Sequence, residues 1–152
     1  MLTCQADFAN ILNMTISLEQ LGLSIKRVQD RHHRVLDARL AALGISLVQW
    51  NALREIERNP GSPQLRLAEL TFNSAQAFGT LVTRLQRLGF VKRESGEGRA
   101  FVHTLTPKGQ KLLEQGRHVV QTMLVESFSG LNEEERVALS HLLGKMLDVR
   151  LA

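Results

Sequence analysis

The 152-residue chain is 43% hydrophobic and 22% charged, which supplies enough apolar material for one packed core and predicts a soluble, folded domain. Its 19 Lys and Arg against 15 Asp and Glu leave a formal charge of +4, a balance that favours polyanionic partners without naming one. The single cysteine, Cys4, excludes an intrachain disulfide and a cysteine-rich zinc cluster and suits a reducing cytoplasm. Asp7, Asn10 and Asn13 interrupt the apolar residues at the amino terminus, so no signal peptide is expected, and no later run is long enough to span a bilayer.

Helix starts are the firmest local signals, because an uncapped first turn leaves backbone N–H groups unsatisfied and particular residue pairs supply the partners. Ser17 stands three residues before Gln20, with Ile16 and Leu21 spaced as a hydrophobic staple. Leu21, Ile25, Val28, His32, Leu36, Leu40 and Leu43 then recur at helical spacing until Gly44, and a further turn is expected before Ser17. Ser46 and Gln49, with Ile45 and Trp50, repeat the pattern and predict a shorter helix that ends at Asn59-Pro60-Gly61. Ser62 and Pro63 are expected as cap and first position of a small helix carrying Leu65, Leu67, Ala68 and Leu70. Thr71 to Asn73 reads as a turn. The helix after it, Ser74 to Leu88, places Phe78, Leu81, Val82, Leu85 and Leu88 on one side and stops at Gly89. Two short helices joined by a tight turn form a helix-turn-helix pattern.

The period then changes from helical to alternating. Phe90 to Glu94 and Phe101 to Leu105 read as two strands around the turn-rich Ser95 to Gly98. Thr106-Pro107 restarts helix, with Leu112, Leu113, Val119, Val120, Met123, Leu124 and Phe128 as its apolar stripe and Gly130 as its end. Asn132 with Glu135 caps a last helix carrying Leu139, Leu142, Leu143, Met146 and Leu147. The expected fold class is therefore mainly α with a small β-hairpin wing: a winged helix-turn-helix part over residues 46–106, flanked by long terminal helices over 17–44 and 107–152.

The excess charge is local. No acidic residue occurs between Glu69 and Glu94, whereas Arg84, Arg87, Lys92 and Arg93 are basic. On a helix, Gln76, Thr80, Arg84 and Arg87 share a polar face opposite the apolar stripe, as a recognition helix in a major groove requires. Gln76 and Thr80, early in that helix, are expected at base edges, and Arg84 and Arg87 at the sugar-phosphate backbone. Arg99, on the glycine-rich tip Ser95-Gly96-Glu97-Gly98, suits a narrow minor groove. The bland alternatives are a solvated helix face and an ordinary polar turn. Gly79 reads as a tolerated helix glycine without a functional role.

These residues resemble the MarR family of bacterial regulators from about Leu21 to Leu147. The most specific stretch is Val82-Thr83-Arg84-Leu85-Gln86-Arg87-Leu88-Gly89-Phe90-Val91-Lys92-Arg93, followed after the wing by Leu105-Thr106-Pro107-Lys108-Gly109. Gly44-Ile45-Ser46 leading into Gln49-Trp50 is similar to the family's entry to its second helix. The resemblance implies a homodimer joined through the first and last helices, with two winged domains addressing a pseudo-palindromic operator in double-stranded DNA. It also implies release of DNA by a small aromatic or anionic effector, for which His32, His33 and Trp50 are the candidate pocket residues. The chain departs from the family pattern at Thr83, where an acidic wing anchor is common, at Glu97, which stands for an aspartate, and at Thr80 and Ala100, which replace basic residues.

Other classes have less behind them. An enzyme would need a nucleophile with its base, a phosphate loop or a metal cluster, and the sequence offers none of these. His32, His33, His103, His118 and His141 do not form the paired spacing of a metal site, so neither metal nor cofactor is expected. A protein-binding winged helix would have no reason to avoid acidic residues before Arg93. Control by oxidation of Cys4 is disfavoured, because no basic neighbour in sequence stabilises its thiolate.

Overall fold

The computed structural model describes residues 17–95 and 101–150. In chain order these form α1 (Leu18–Ala41), α2 (Leu47–Arg58), α3 (Gln64–Leu70), α4 (Ala75–Arg87), β1 (Val91–Ser95), β2 (Phe101–Leu105), α5 (Pro107–Ser127) and α6 (Glu133–Asp148). Ile16 and the turn expected before Ser17, together with Cys4 and the wing-tip residues Gly96, Glu97, Gly98, Arg99 and Ala100, lie outside the described residues. The chain divides into two units, one ending at Val35 and one beginning at Leu36.

The capping signals act where the sequence places them. Ser17 Oγ accepts from Gln20 N at 3.0 Å, and Gly44, with φ +75°, ends the turn after α1 in a backbone region that glycine enters without strain. At α2 the exchange is reciprocal: Ser46 Oγ accepts from Gln49 N at 3.2 Å and Gln49 Oε1 accepts from Ser46 N at 2.9 Å. Asp37 Oδ1 accepts from Leu47 N at 2.8 Å, satisfying a further first-turn donor from α1. Asn132 and Glu135 form the same reciprocal cap on α6. The start of α3 differs from expectation. Leu67 N donates to Pro63 O, so Pro63 (ψ 152°) is the half-in cap residue, Gln64 is the first helical residue, and Ser62 makes no cap.

The core of the second unit is built from Leu36 and Leu40 of α1, Trp50, Leu53 and Ile56 of α2, Leu67 of α3, Phe78, Val82 and Leu85 of α4, Val91 of β1 and Leu113 of α5. Two positions of the expected α4 stripe are less buried. Leu81 is half-buried and Leu88 is exposed, because Leu88 is the C-cap and the chain turns away at Gly89 (φ +76°). The strands pair antiparallel in the register Val91↔Leu105, Arg93↔His103 and Ser95↔Phe101, so pairing begins one residue later than Phe90. Thr106 N donates to Phe90 O, and a Cβ at Gly109 would lie 2.0 Å from that same oxygen; only glycine allows α5 this close to the entry of the wing.

Both terminal helices keep apolar residues in solvent in the single chain. Leu21, Ile25 and Val28 in the N-terminal half of α1 are exposed, and α6 buries no residue, leaving Val137, Leu142, Leu143, Met146 and Leu147 accessible. Among the described residues no helix is long and apolar enough to cross a membrane.

Candidate nucleic-acid interface

Helix α4 follows α3 across the turn at Thr71, Phe72 and Asn73, and Ser74 caps it by accepting from Ala77 N at 3.1 Å. Phe78, Val82 and Leu85 anchor one side in the core. The other side presents Gln76, Thr80, Thr83, Arg84 and Arg87, all exposed, around a shallow concavity of about 680 Å³. Thr80 Oγ1 donates to Gln76 O at 3.2 Å and Thr83 Oγ1 to Gly79 O at 2.9 Å. With their protons committed to the helix backbone, both hydroxyls face outward as acceptors beside a methyl group. Gln76 offers both donor and acceptor, and the two arginines offer donors only. The structure thus brings together four expected site residues, Gln76, Thr80, Arg84 and Arg87, and adds Thr83, which the sequence marked only as a departure from the family pattern.

The two remaining expected contacts stand differently. Lys92 Nζ lies 2.5 Å from Glu94 Oε1 on the same strand, and Thr104 Oγ1 donates to Glu94 Oε2 at 2.8 Å. Hydrogen bonds from Lys92 and then Thr104 hold the Glu94 carboxyl below its ordinary range. Lys92 is therefore already paired within the chain, whereas Arg99 falls outside the described residues. Arg93, not among the expected contacts, has its guanidinium 3.6 Å from the centroid of the Phe101 ring across the hairpin. The alternation of the two strands is the signal that could have found this pair, since Arg93 and Phe101 both share the face of Val91 and His103.

The wing is tied to the helices through a buried histidine. His103 is 6% exposed, and its Nε2 lies 3.3 Å from Gln64 Oε1 at the start of α3. With Gln64 Oε1 as the acceptor the ring proton sits on Nε2, and the buried Nδ1 has no hydrogen-bond partner among the described residues. Burial, and then the charge of Arg93, lower the His103 pKa and keep the ring neutral. The same Gln64 borders Gly79: a Cβ there would come 3.0 Å from Gln64 Nε2, a close approach that this flexible amide end can relieve by a small shift.

Two concavities border α5. The larger, about 1180 Å³, has Arg39, Gln110, Lys111, His118 and Val119 among its walls, and the smaller, about 460 Å³, has Trp50, Arg54, Glu114 and Arg117. Trp50 is buried, donates Nε1 to Leu113 O at 3.2 Å, and shows only an edge to the smaller space. His32 is half-buried and His33 exposed on α1. Among the described residues no three His, Cys, Asp or Glu side chains are grouped to hold a metal ion.

A capped helix with an open polar face, second in a helix-turn-helix and followed by an antiparallel hairpin, defines a winged helix-turn-helix protein. Residues 43–100 match the model of the MarR family. The HTH-type transcriptional repressor Rv2887 of Mycobacterium tuberculosis is 27% identical over 128 residues, 83% of this chain and 92% of that protein. A crystal structure of that MarR family protein in complex with p-aminosalicylic acid is similar at a TM-score of 0.70 and 26% identity, covering 83% of this chain and 97% of the other. A mutant MarR from E. coli complexed with operator DNA is similar at 0.76 and 27% identity, covering 84% and 93%. The chain is thus similar to the MarR family over residues 43–100 and shares the winged helix-turn-helix fold of its solved members.

Proposed function

We propose that this chain is a transcriptional repressor that binds duplex DNA as a homodimer in the cytoplasm, without catalytic activity, and is released by a small effector. The observation that carries the reading is the exposed face of α4, where Gln76, Thr80, Thr83, Arg84 and Arg87 stand together in a stretch from residue 70 to residue 93 that contains no carboxylate. Such a face inserts into a major groove with its early residues at base edges and its arginines at phosphates. Gln76 and Thr80 read bases, Arg84 and Arg87 hold the backbone, and Lys92 and Arg99 extend the contact along the wing. Residues 46–106 are the DNA-binding part.

The exposed apolar residues of α1 and α6 support the dimer, since a monomer would leave both faces in water. Residues 17–44 and 107–152 are the dimerisation segments. The effector is a small aromatic or anionic molecule. Trp50 offers an aromatic edge beside Arg54 and Arg117, and titration of the DNA complex with a small aromatic acid, repeated on the His32, His33 and Trp50 alanine variants, tests what each contributes.

Selection of binding sites from random duplex DNA tests the reading. A two-fold symmetric site should be enriched, Gln76→Ala should relax one base position in each half-site, and Arg99→Ala should weaken all sequences alike. Sedimentation of the free protein should give a dimer at micromolar concentration.

A further inference from the structure

Phe72 is the only described non-glycine residue with positive φ, at 56°, and its side chain is 99% exposed. Both features are unfavourable for the chain alone. A bulky residue is strained in the left-handed region, and an exposed ring leaves its apolar surface in water. The conformation is nonetheless held firmly. Phe72 N donates to Glu69 O at 3.0 Å, Asn73 N to Ala68 O at 2.9 Å, and Asn73 Nδ2 to Thr71 O at 2.9 Å. Thr71 Oγ1 donates to Leu67 O at 2.8 Å, so the residues on both sides of the ring are tied to α3 or to the turn itself. An outlier held by this many bonds, and contributing no packing, points to an occupant outside the chain.

Its place decides which occupant. Phe72 stands two residues before Ser74, the cap of α4, and so just before the N-terminus of the recognition helix that also carries Gln76. The first residues of a recognition helix lie deepest in the major groove, where the apolar feature of the base pairs is the 5-methyl group of thymine. We propose that Phe72 is a specificity-determining residue whose ring packs on a thymine methyl in each half-site. This rests on the duplex-DNA reading above. The ring has no hydrogen-bonding group, so it selects thymine over cytosine by apolar contact alone and adds nothing to the salt dependence of binding.

The test uses the full-length protein and the duplex site that the wild type selects. Phe72→Gly suits φ +56° and should raise or preserve the thermal midpoint, which separates loss of the ring from loss of fold. Its affinity for the selected duplex should fall about five- to tenfold, with little change on a scrambled duplex. Replacing each thymine of a half-site in turn by deoxyuridine, which lacks the methyl, should weaken the wild type at one position and leave Phe72→Gly indifferent there. Equal affinity of the two proteins for the selected duplex would overturn the inference, as would equal losses on selected and scrambled duplexes. A change in sedimentation of free Phe72→Gly would assign the ring to contact between copies of the chain and overturn it too. If the wild type selects no site at all, the DNA reading fails first and this inference fails with it.

Discussion

The indole of Trp50 fills the space in which a side chain at residue 116 would stand: a Cβ on Gly116 would lie 2.2 Å from both Cδ1 and Nε1 of Trp50, and 3.3 Å from Leu40 Cδ2. A glycine in the middle of α5 thus lets α2 dock closely enough for Trp50 Nε1 to donate to Leu113 O. Gly116→Ala gains about 1 kcal/mol of helix propensity and loses more, because the buried indole has no room to retreat. The expected net effect is a destabilisation of about 1–3 kcal/mol. Urea unfolding should show it as a lower midpoint, whereas Gly22→Ala in α1, where a Cβ meets nothing within 4 Å, should leave the midpoint unchanged or raise it.

Ser46 carries both the acceptor for Gln49 N and the backbone donor for Gln49 Oε1. Ser46→Ala removes the first bond and leaves the second without its reciprocal partner. A loss of about 1 kcal/mol is expected by denaturant titration, and Ser46→Asp, which keeps an acceptor in place, should recover most of it.

His103 gives the fold a defined response to acid. Its folded pKa lies below the ordinary imidazole value of 6.5, because burial and then Arg93 disfavour the charged ring. The unfolded chain therefore binds the proton more tightly, and stability that is fully present above pH 6.5 declines as the pH falls below it. His103→Gln keeps an amide opposite Gln64 and removes the titration. The thermal midpoint of the wild type should drop further than that of His103→Gln between pH 7.5 and pH 5. Parallel curves would show that some other group dominates the acid response.

Because Lys92 is held by Glu94, it should count for less on DNA than Arg84 and Arg87 of α4, which make no ion pair among the described residues. Arg84→Ala is expected to reduce the slope of log affinity against log salt by about 1.8, two phosphate contacts per dimer on a duplex, and Lys92→Ala by less. Glu94→Gln removes the carboxylate charge that holds Lys92 and should tighten binding at low salt. Fluorescence anisotropy over a salt series on one duplex checks all three variants.

Much of the architecture was legible because it is written in short-range chemistry. The caps at Ser17, Ser46, Ser74, Thr106 and Asn132, and the stops at Gly44 and Gly89, depend on residues a few positions apart, and the sequence displays those pairs directly. The polar face of α4 was legible for the same reason, since helical period alone puts Gln76, Thr80, Arg84 and Arg87 on one side. At α3 the local signal misplaced the start by one residue, because Pro63 suits either cap or first turn and only its extended ψ decides between them.

The tertiary structure decided what depends on distant parts of the chain meeting. Gly79, read from sequence as neutral, faces Gln64, which in turn holds His103 of the wing. Lys92, read as a contact to DNA, is held by Glu94, which accepts from Thr104 as well once the two strands align. Phe72 reads in sequence as one residue of a turn, and its φ and full exposure set it apart. The sequence by itself determined the elements, their order and the charged face of the recognition helix, because period and capping are local. What surrounds Gly79, His103 and Gly116 was decided only by packing, because the side chains they meet lie far away along the chain.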